Sequence, residues 1–303
     1  MPIDIQCVAD VRAQVGEGAL WDHTYGVLWW VDIPQGLIYA FDPERGDNRV
    51  HMFDEPVGCL ALHKNPSSAH RQLIVAAKNG FYFYDPPSGK YTPLIDPETD
   101  KPEHRFNDGG PDRQGRFWAG SMYQGTDVKT PPGPARFWRL NADGTVTAGP
   151  DGYMTTNGLA FSPDGRRMYT AESHKDVQTI WQWDYDIDDG MPSNRQLFFQ
   201  ASAIKGRPDG GTVDADGCYW MAAVDGWQVL RLTPKGAVDR IIDLPVERPS
   251  KPMFGGKDLD TLFVTSIQNG ITSPQDDAGG LFAITGLGVS GLREAQTSLD
   301  FHP

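Results

Sequence analysis

Three segments set an oxygen-bearing side chain against glycine just before a short apolar run: Gly16-Glu17-Gly18-Ala-Leu-Trp21, Thr155-Thr-Asn157-Gly158-Leu-Ala-Phe161 and Arg207-Pro-Asp209-Gly210-Gly-Thr-Val213. Glu17, Asn157 and Asp209 offer hard oxygen donors, a set that suits one divalent cation completing its shell with water. The competing reading is local. An Asn or Asp before glycine commonly hydrogen-bonds its own turn, although Glu17, a poor turn former, is not explained that way. A fourth segment, His104-Arg105-Phe106-Asn107-Asp108-Gly109, brings donors: Arg105 and Asn107 can hydrogen-bond the hydroxyl, carbonyl or carboxylate groups of a polar substrate. Taken singly they are a solvated charge and a turn residue; their position at the same depth as the three oxygen donors favours binding.

The elements that must position these groups repeat. Aromatic or β-branched stretches around Trp29, Ile74, Trp118, Tyr169, Trp220 and Phe263 recur every 43 to 51 residues, the period of a four-stranded propeller blade. Each is followed by a second strand-like run (LIYAFD, GFYFYD, RFWRLN, IWQWDYD, QVLRLT, GLFAI), and most of these end in Asp-, Pro- and Gly-rich turns that favour antiparallel hairpins. The expected fold is all-β, a six-bladed β-propeller in one domain over residues 1–303. Equivalent positions in different blades then point at one axis, with a metal site in the central channel. Because open sheet edges invite aggregation, the run from Ile5 to Val11 is expected to pair into the last blade beside Ser290 to Phe301. Gln124 to Pro134 interrupts one blade and is either a lid over the channel or a long surface connection.

The formal charge of −13 repels phosphate backbones and anionic headgroups, which argues against nucleic acid and membrane as partners. No signal-like N-terminus and no long apolar run occur, so a cytoplasmic protein, monomeric or weakly homo-oligomeric, is expected. Cys7, Cys59 and Cys218 are an odd, scattered set without metal spacing and are read as reduced. The seven histidines show no ligand spacing, with His174 read as a surface or turn residue, and the zincin, P-loop, dinucleotide and nucleophile-elbow motifs are absent.

The ordered segments GEGALW with VDIPQGLIY, RFNDGGPDRQGRFWAGSM, TTNGLAFSPDG, RPDGGTVDADGCYW and KPMFGGKDLDTLFVT make the whole chain resemble the SMP-30/gluconolactonase/regucalcin family. The resemblance implies a six-bladed propeller with one divalent cation (Ca, Zn, Mn, Mg or Fe(II)) and hydrolysis of a sugar lactone. It places the metal ligands on Glu17, Asn157 and Asp209 and the substrate contacts on Arg105 and Asn107. Some relatives carry acidic substrate-binding residues after a GTM motif; this chain has Ser121-Met-Tyr123-Gln124-Gly125 there, so their substrate preference does not transfer. Tyr123 and Gln124 are instead read as polar substrate contacts, and Asp209 doubles as candidate general base. The rival readings are an arylesterase or phosphotriesterase on the same cation, for which an apolar pocket is expected, and a non-catalytic propeller binding calcium or a small ligand.

Overall fold

Hairpins dominate because strand ends carry Asp residues that fold the chain back: Asp22 Oδ1 accepts from the Thr24 and Tyr25 N–H groups, and Asp186 Oδ1 from those of Asp188 and Asp189. In the computed structural model, which describes residues 2–65, 68–124 and 134–300, the strands form six four-stranded antiparallel sheets. A 3-10 turn at Ala201–Ala203 is the one helical element among the described residues. The innermost strands of blades 1 to 6 are Gly16–Asp22, Val57–His63, His104–Pro111, Thr156–Phe161, Arg207–Val213 and Pro249–Gly255. They contact one another around the axis. Outermost strands such as Asp47–Met52 and Lys90–Ile95 are largely exposed.

The core is divided into six apolar clusters, one at each junction between neighbouring blades. Aromatic pairs bridge these junctions, including Trp21 on Phe263 at 5.8 Å between ring centroids and Phe81 on Phe106 at 4.7 Å. Each blade therefore buries its faces only against its two neighbours, and the ring has to close.

Closure comes from the N-terminus, as the sequence led one to expect: Asp4–Ala9 pairs antiparallel with Leu281–Thr285, Cys7 opposite Phe282. The expectation for Ser290 to Phe301 needs correction. Blade 6 already has four strands, so this segment finds no edge to join and crosses the end of the propeller instead. Its backbone bonds Ala215, Leu259, Leu62, Lys64 and Ala142 in turn, Glu294 meets Arg113 at 3.7 Å, and Leu299 is buried in the junction of blades 2 and 3. All three cysteines are free thiols. Among the described residues, no helix is long and apolar enough to cross a membrane.

Deleting residues 1–9 should expose the edge of Leu281–Thr285 and withdraw the half-buried Ile5, Cys7 and Val8. A loss of about 4 kcal/mol corresponds to a fall in Tm of about 10 °C, with aggregation on heating. A melting curve unchanged from the full chain would show that the ring holds without this strand.

Candidate active site

The inner strands share a defect that aims side chains into the channel. In all six blades the register with the second strand slips at the same step: after Glu17, after Val57, after Phe106, after Asn157, after Pro208 and after Pro249. A bulge of this kind bends the strand and redirects the residue beside it. Counting back from the regular pairs, the equivalent positions are Glu17, Gly58, Asn107, Asn157, Asp209 and Lys251. Local sequence permits this: Gly158 adopts φ +64, and a Cβ there would lie 2.5 Å from the Tyr219 hydroxyl.

Five of the residues singled out from sequence, Glu17, Arg105, Asn107, Asn157 and Asp209, line one pocket of about 190 Å³ in the channel. All five are buried. A hydrogen-bond chain runs across three blades. Arg105 Nη1 donates to Asn107 Oδ1 at 2.8 Å, Asn107 Nδ2 to Asn157 Oδ1 at 3.2 Å, Asn157 Nδ2 to Ser173 Oγ at 2.6 Å, and Ser173 Oγ to the Pro208 carbonyl. The chain fixes which end of the Asn157 amide faces Asn107 and the pocket. Behind Arg105, Glu98 accepts from the Ser121 hydroxyl and the Trp138 indole and pairs with His104 Nδ1 at 3.0 Å.

Among the described residues, neither carboxylate of the pocket floor has a cationic side chain within ion-pair distance. Burial, reinforced by the charges of Asp209 and Asp108, pushes the Glu17 carboxyl well above the usual carboxylate range. Burial likewise raises that of Asp209, against the opposing charges of Arg207 and Arg248. No described residue donates a hydrogen bond to Asp209, while Glu17 accepts one from the Gly18 N–H at 3.0 Å. Burial lowers Arg105 to about 10, so it stays charged at neutral pH, and its Nε has no hydrogen-bond partner among the described residues. Among the described residues no three His, Cys, Asp or Glu side chains converge, so a cation here would need the Asn157 amide oxygen as a third donor.

Tyr123 and Gln124 lie outside the pocket lining, where Met122 stands instead. Tyr123 pairs with His104 across the strands and its ring packs edge-on against the imidazole, and the Gln124 N–H donates to the Glu103 carbonyl. Residues 125–133 of the lid expectation lie outside the described residues. His174 is partly exposed and its N–H donates to Glu172, in keeping with a turn role.

Four charged groups were not singled out from sequence. Lys251 Nζ reaches Asp108 Oδ1 at 2.6 Å across the channel beneath the pocket, both residues buried. Burial alone would lower the Lys251 pKa; Asp108 reverses the shift, which is upward. Arg207 and Arg248 stand at the pocket wall. Two signals pointed to them: Lys251 occupies in the sixth repeat the position of Glu17 in the first, and Arg207 precedes Asp209 by the same two residues as Arg105 precedes Asn107.

Residues 15–268 match the family model described as the SMP-30/Gluconolactonase/LRE-like region. The chain is 36% identical over 264 residues to a 6-deoxy-6-sulfogluconolactonase of Pseudomonas putida, covering 86% of each. It is 31% identical to regucalcin of Xenopus laevis, over 96% of this chain and 97% of the relative. The structure is similar to that of a calcium-binding regucalcin from Agrobacterium tumefaciens, with a TM-score of 0.89 at 25% identity, covering 99% of both.

Lys251→Met should strand the Asp108 carboxylate in the channel and cost about 3–5 kcal/mol in urea unfolding. Adding Asp108→Asn should return much of that loss. A Lys251→Met protein as stable as the wild type would mean that the pair carries no stabilising charge interaction.

Proposed function

This chain belongs to the SMP-30/gluconolactonase/LRE-like family, and on that footing we propose that it hydrolyses a sugar (aldono-)lactone to the sugar acid with a divalent cation held by Glu17, Asn157 and Asp209. The observation that carries the reading is the pair of buried carboxylates, Glu17 and Asp209, left among the described residues without a hydrogen-bonded cation at the same register level as an amide oxygen donor. Raised carboxyl pKa values mean that burial disfavours the ionised forms unless a cation stands beside them, and the donor set fits a hard cation. Likeness to a calcium-binding regucalcin supports calcium as a candidate, with Mg and Mn also suited to oxygen donors.

When bound, the cation supplies Lewis acidity, polarising an ester carbonyl and lowering the pKa of nearby water. Asp209 takes a proton from the attacking water as its oxygen bonds to the lactone carbonyl carbon. The ring C–O bond then breaks, and the proton returns to the departing ring oxygen, giving the hydroxy acid. Arg105 and Asn107, tied to each other at 2.8 Å, orient the ring hydroxyls. Tyr123 and Gln124, outside the lining, give way in this role to Thr155 and Ser173, which line it. The buried polar groups favour a hydroxylated substrate over the apolar aryl or phosphotriester class.

Dialysis against a chelator should abolish lactone hydrolysis while shifting the melting curve little, because blade packing does not run through the pocket floor. Full activity in a demonstrably metal-free sample would overturn the cation's role. Asp209→Asn keeps an oxygen donor and loses the base; at saturating cation its kcat should fall by at least about a hundredfold. A kcat that returns close to wild type once the cation saturates the variant would leave Asp209 a ligand only.

A further inference from the structure

The protein carries a net charge of −13, yet three of the five charged residues lining the pocket are arginines: Arg105, Arg207 and Arg248. Their partners do not balance them. Arg207 Nε and Nη2 both donate to Asp225 Oδ2, at 2.9 and 2.6 Å, and Arg248 Nε lies 2.8 Å from Asp225 Oδ1. One carboxylate thus serves two guanidiniums. Asp225 is held in a left-handed backbone conformation, φ +65, uncommon for a residue other than glycine. Among the described residues Arg105 forms no ion pair with a carboxylate, feeling Glu17 and Asp209 only at longer range, and its buried Nε is unsatisfied. Among the described residues, the Nη2 groups of Arg105 and Arg248 donate to nothing, while Nη1 of each is committed to backbone or amide oxygen; Arg207 Nη1 donates to the Ser173 carbonyl at 3.0 Å, which leaves one N–H on each of its Nη groups for a ligand.

The other two charged residues in the lining, Glu17 and Asp209, are committed to the cation in the reading proposed above, on which this inference rests. Asp108, below, is neutralised by Lys251. The wall formed by Arg207 and Arg248 therefore keeps a surplus positive charge in a half-buried setting where an unmatched guanidinium is costly. Arg105 and Asn107 come from blade 3, whereas Arg207 opens the inner strand of blade 5 and Arg248 immediately precedes that of blade 6, the blade opposite blade 3. A ring held by the first pair presents its substituents to the second.

We infer that the preferred substrate is an anionic sugar lactone, bearing a carboxylate or sulfonate on its side chain away from the ring carbonyl, and that Arg207 and Arg248 receive that group. Guanidinium forks match oxyanions in charge and geometry. Such a contact is worth about tenfold to a hundredfold in kcat/KM when it persists in the transition state.

The test compares galactono-1,4-lactone with galactaro-1,4-lactone, which differ in a terminal hydroxymethyl against a carboxylate, and with the corresponding 6-deoxy-6-sulfonate. The cation is saturating throughout. Wild type should prefer at least one anionic lactone by about tenfold or more, the larger preference showing which oxyanion fits. That preference should shrink as salt is raised. In Arg207→Gln and Arg248→Gln the ratio of anionic to neutral kcat/KM should collapse toward one, and Arg207→Lys should retain part of it. The wild-type salt series needs no variant, so a misfolded variant does not spoil the test. Equal or better turnover of the neutral lactone by the wild type would overturn the inference and leave the lactonase reading standing. No hydrolysis of any of the three, with cation present, would overturn both.

Discussion

Six strands have to share one axis, and that crowding governs the molecule. Around the channel only five of the six equivalent positions carry a side chain, because at Gly58 a Cβ would lie 2.5–2.7 Å from the backbone of Phe106 and Asn107. The remaining five are two carboxylates, two amides and one lysine. Lys251 shares a ring with the two carboxylates and weakens the upward shift of Glu17. Its short contact, however, is with Asp108, one residue beyond the ring position in blade 3. The charge that could have quenched the pocket floor is spent beneath it, and Glu17 and Asp209 remain without a close partner.

Rigidity comes from the same crowding. The chain of hydrogen bonds from Arg105 through Asn107, Asn157 and Ser173 to Pro208 links blades 3, 4 and 5. A groove between independent loops would leave each side chain to find its own rotamer. Here Asn157 has its amide nitrogen engaged by Ser173, so its oxygen is presented before anything binds, and less ordering entropy is lost on binding.

The sequence revealed much of this, for identifiable reasons. Turn residues and aromatic strands repeat with the blade period, so the blade count and the convergence of Glu17, Asn157 and Asp209 were readable from local pattern. The path of residues 287–300 was not, since a segment without strand alternation gives no sign of which surface it crosses. Pairing of Lys251 with Asp108 spans 143 positions and leaves no local signature. Tyr123 and Gln124 were drawn toward the pocket by their polarity, but the strand's alternation turns Met122 inward and sends Tyr123 against His104. Asp225, shared by Arg207 on a strand and Arg248 in the connection between blades 5 and 6, is a tertiary arrangement that spacing alone does not disclose.

The segment across the far end of the propeller makes the channel a dead end. Arg113 and Glu294 sit at its base, and the Lys251–Asp108 bridge lies between that base and the pocket. Among the described residues, that leaves reactant and product to share the doorway on the pocket side, and each turnover must empty the pocket before the next molecule enters. The departing hydroxy acid is an anion leaving past Arg105, Arg207 and Arg248, the groups best able to delay it. In such a vessel, groups that strengthen capture also slow clearance, and overall throughput is governed by traffic as well as by bond breaking.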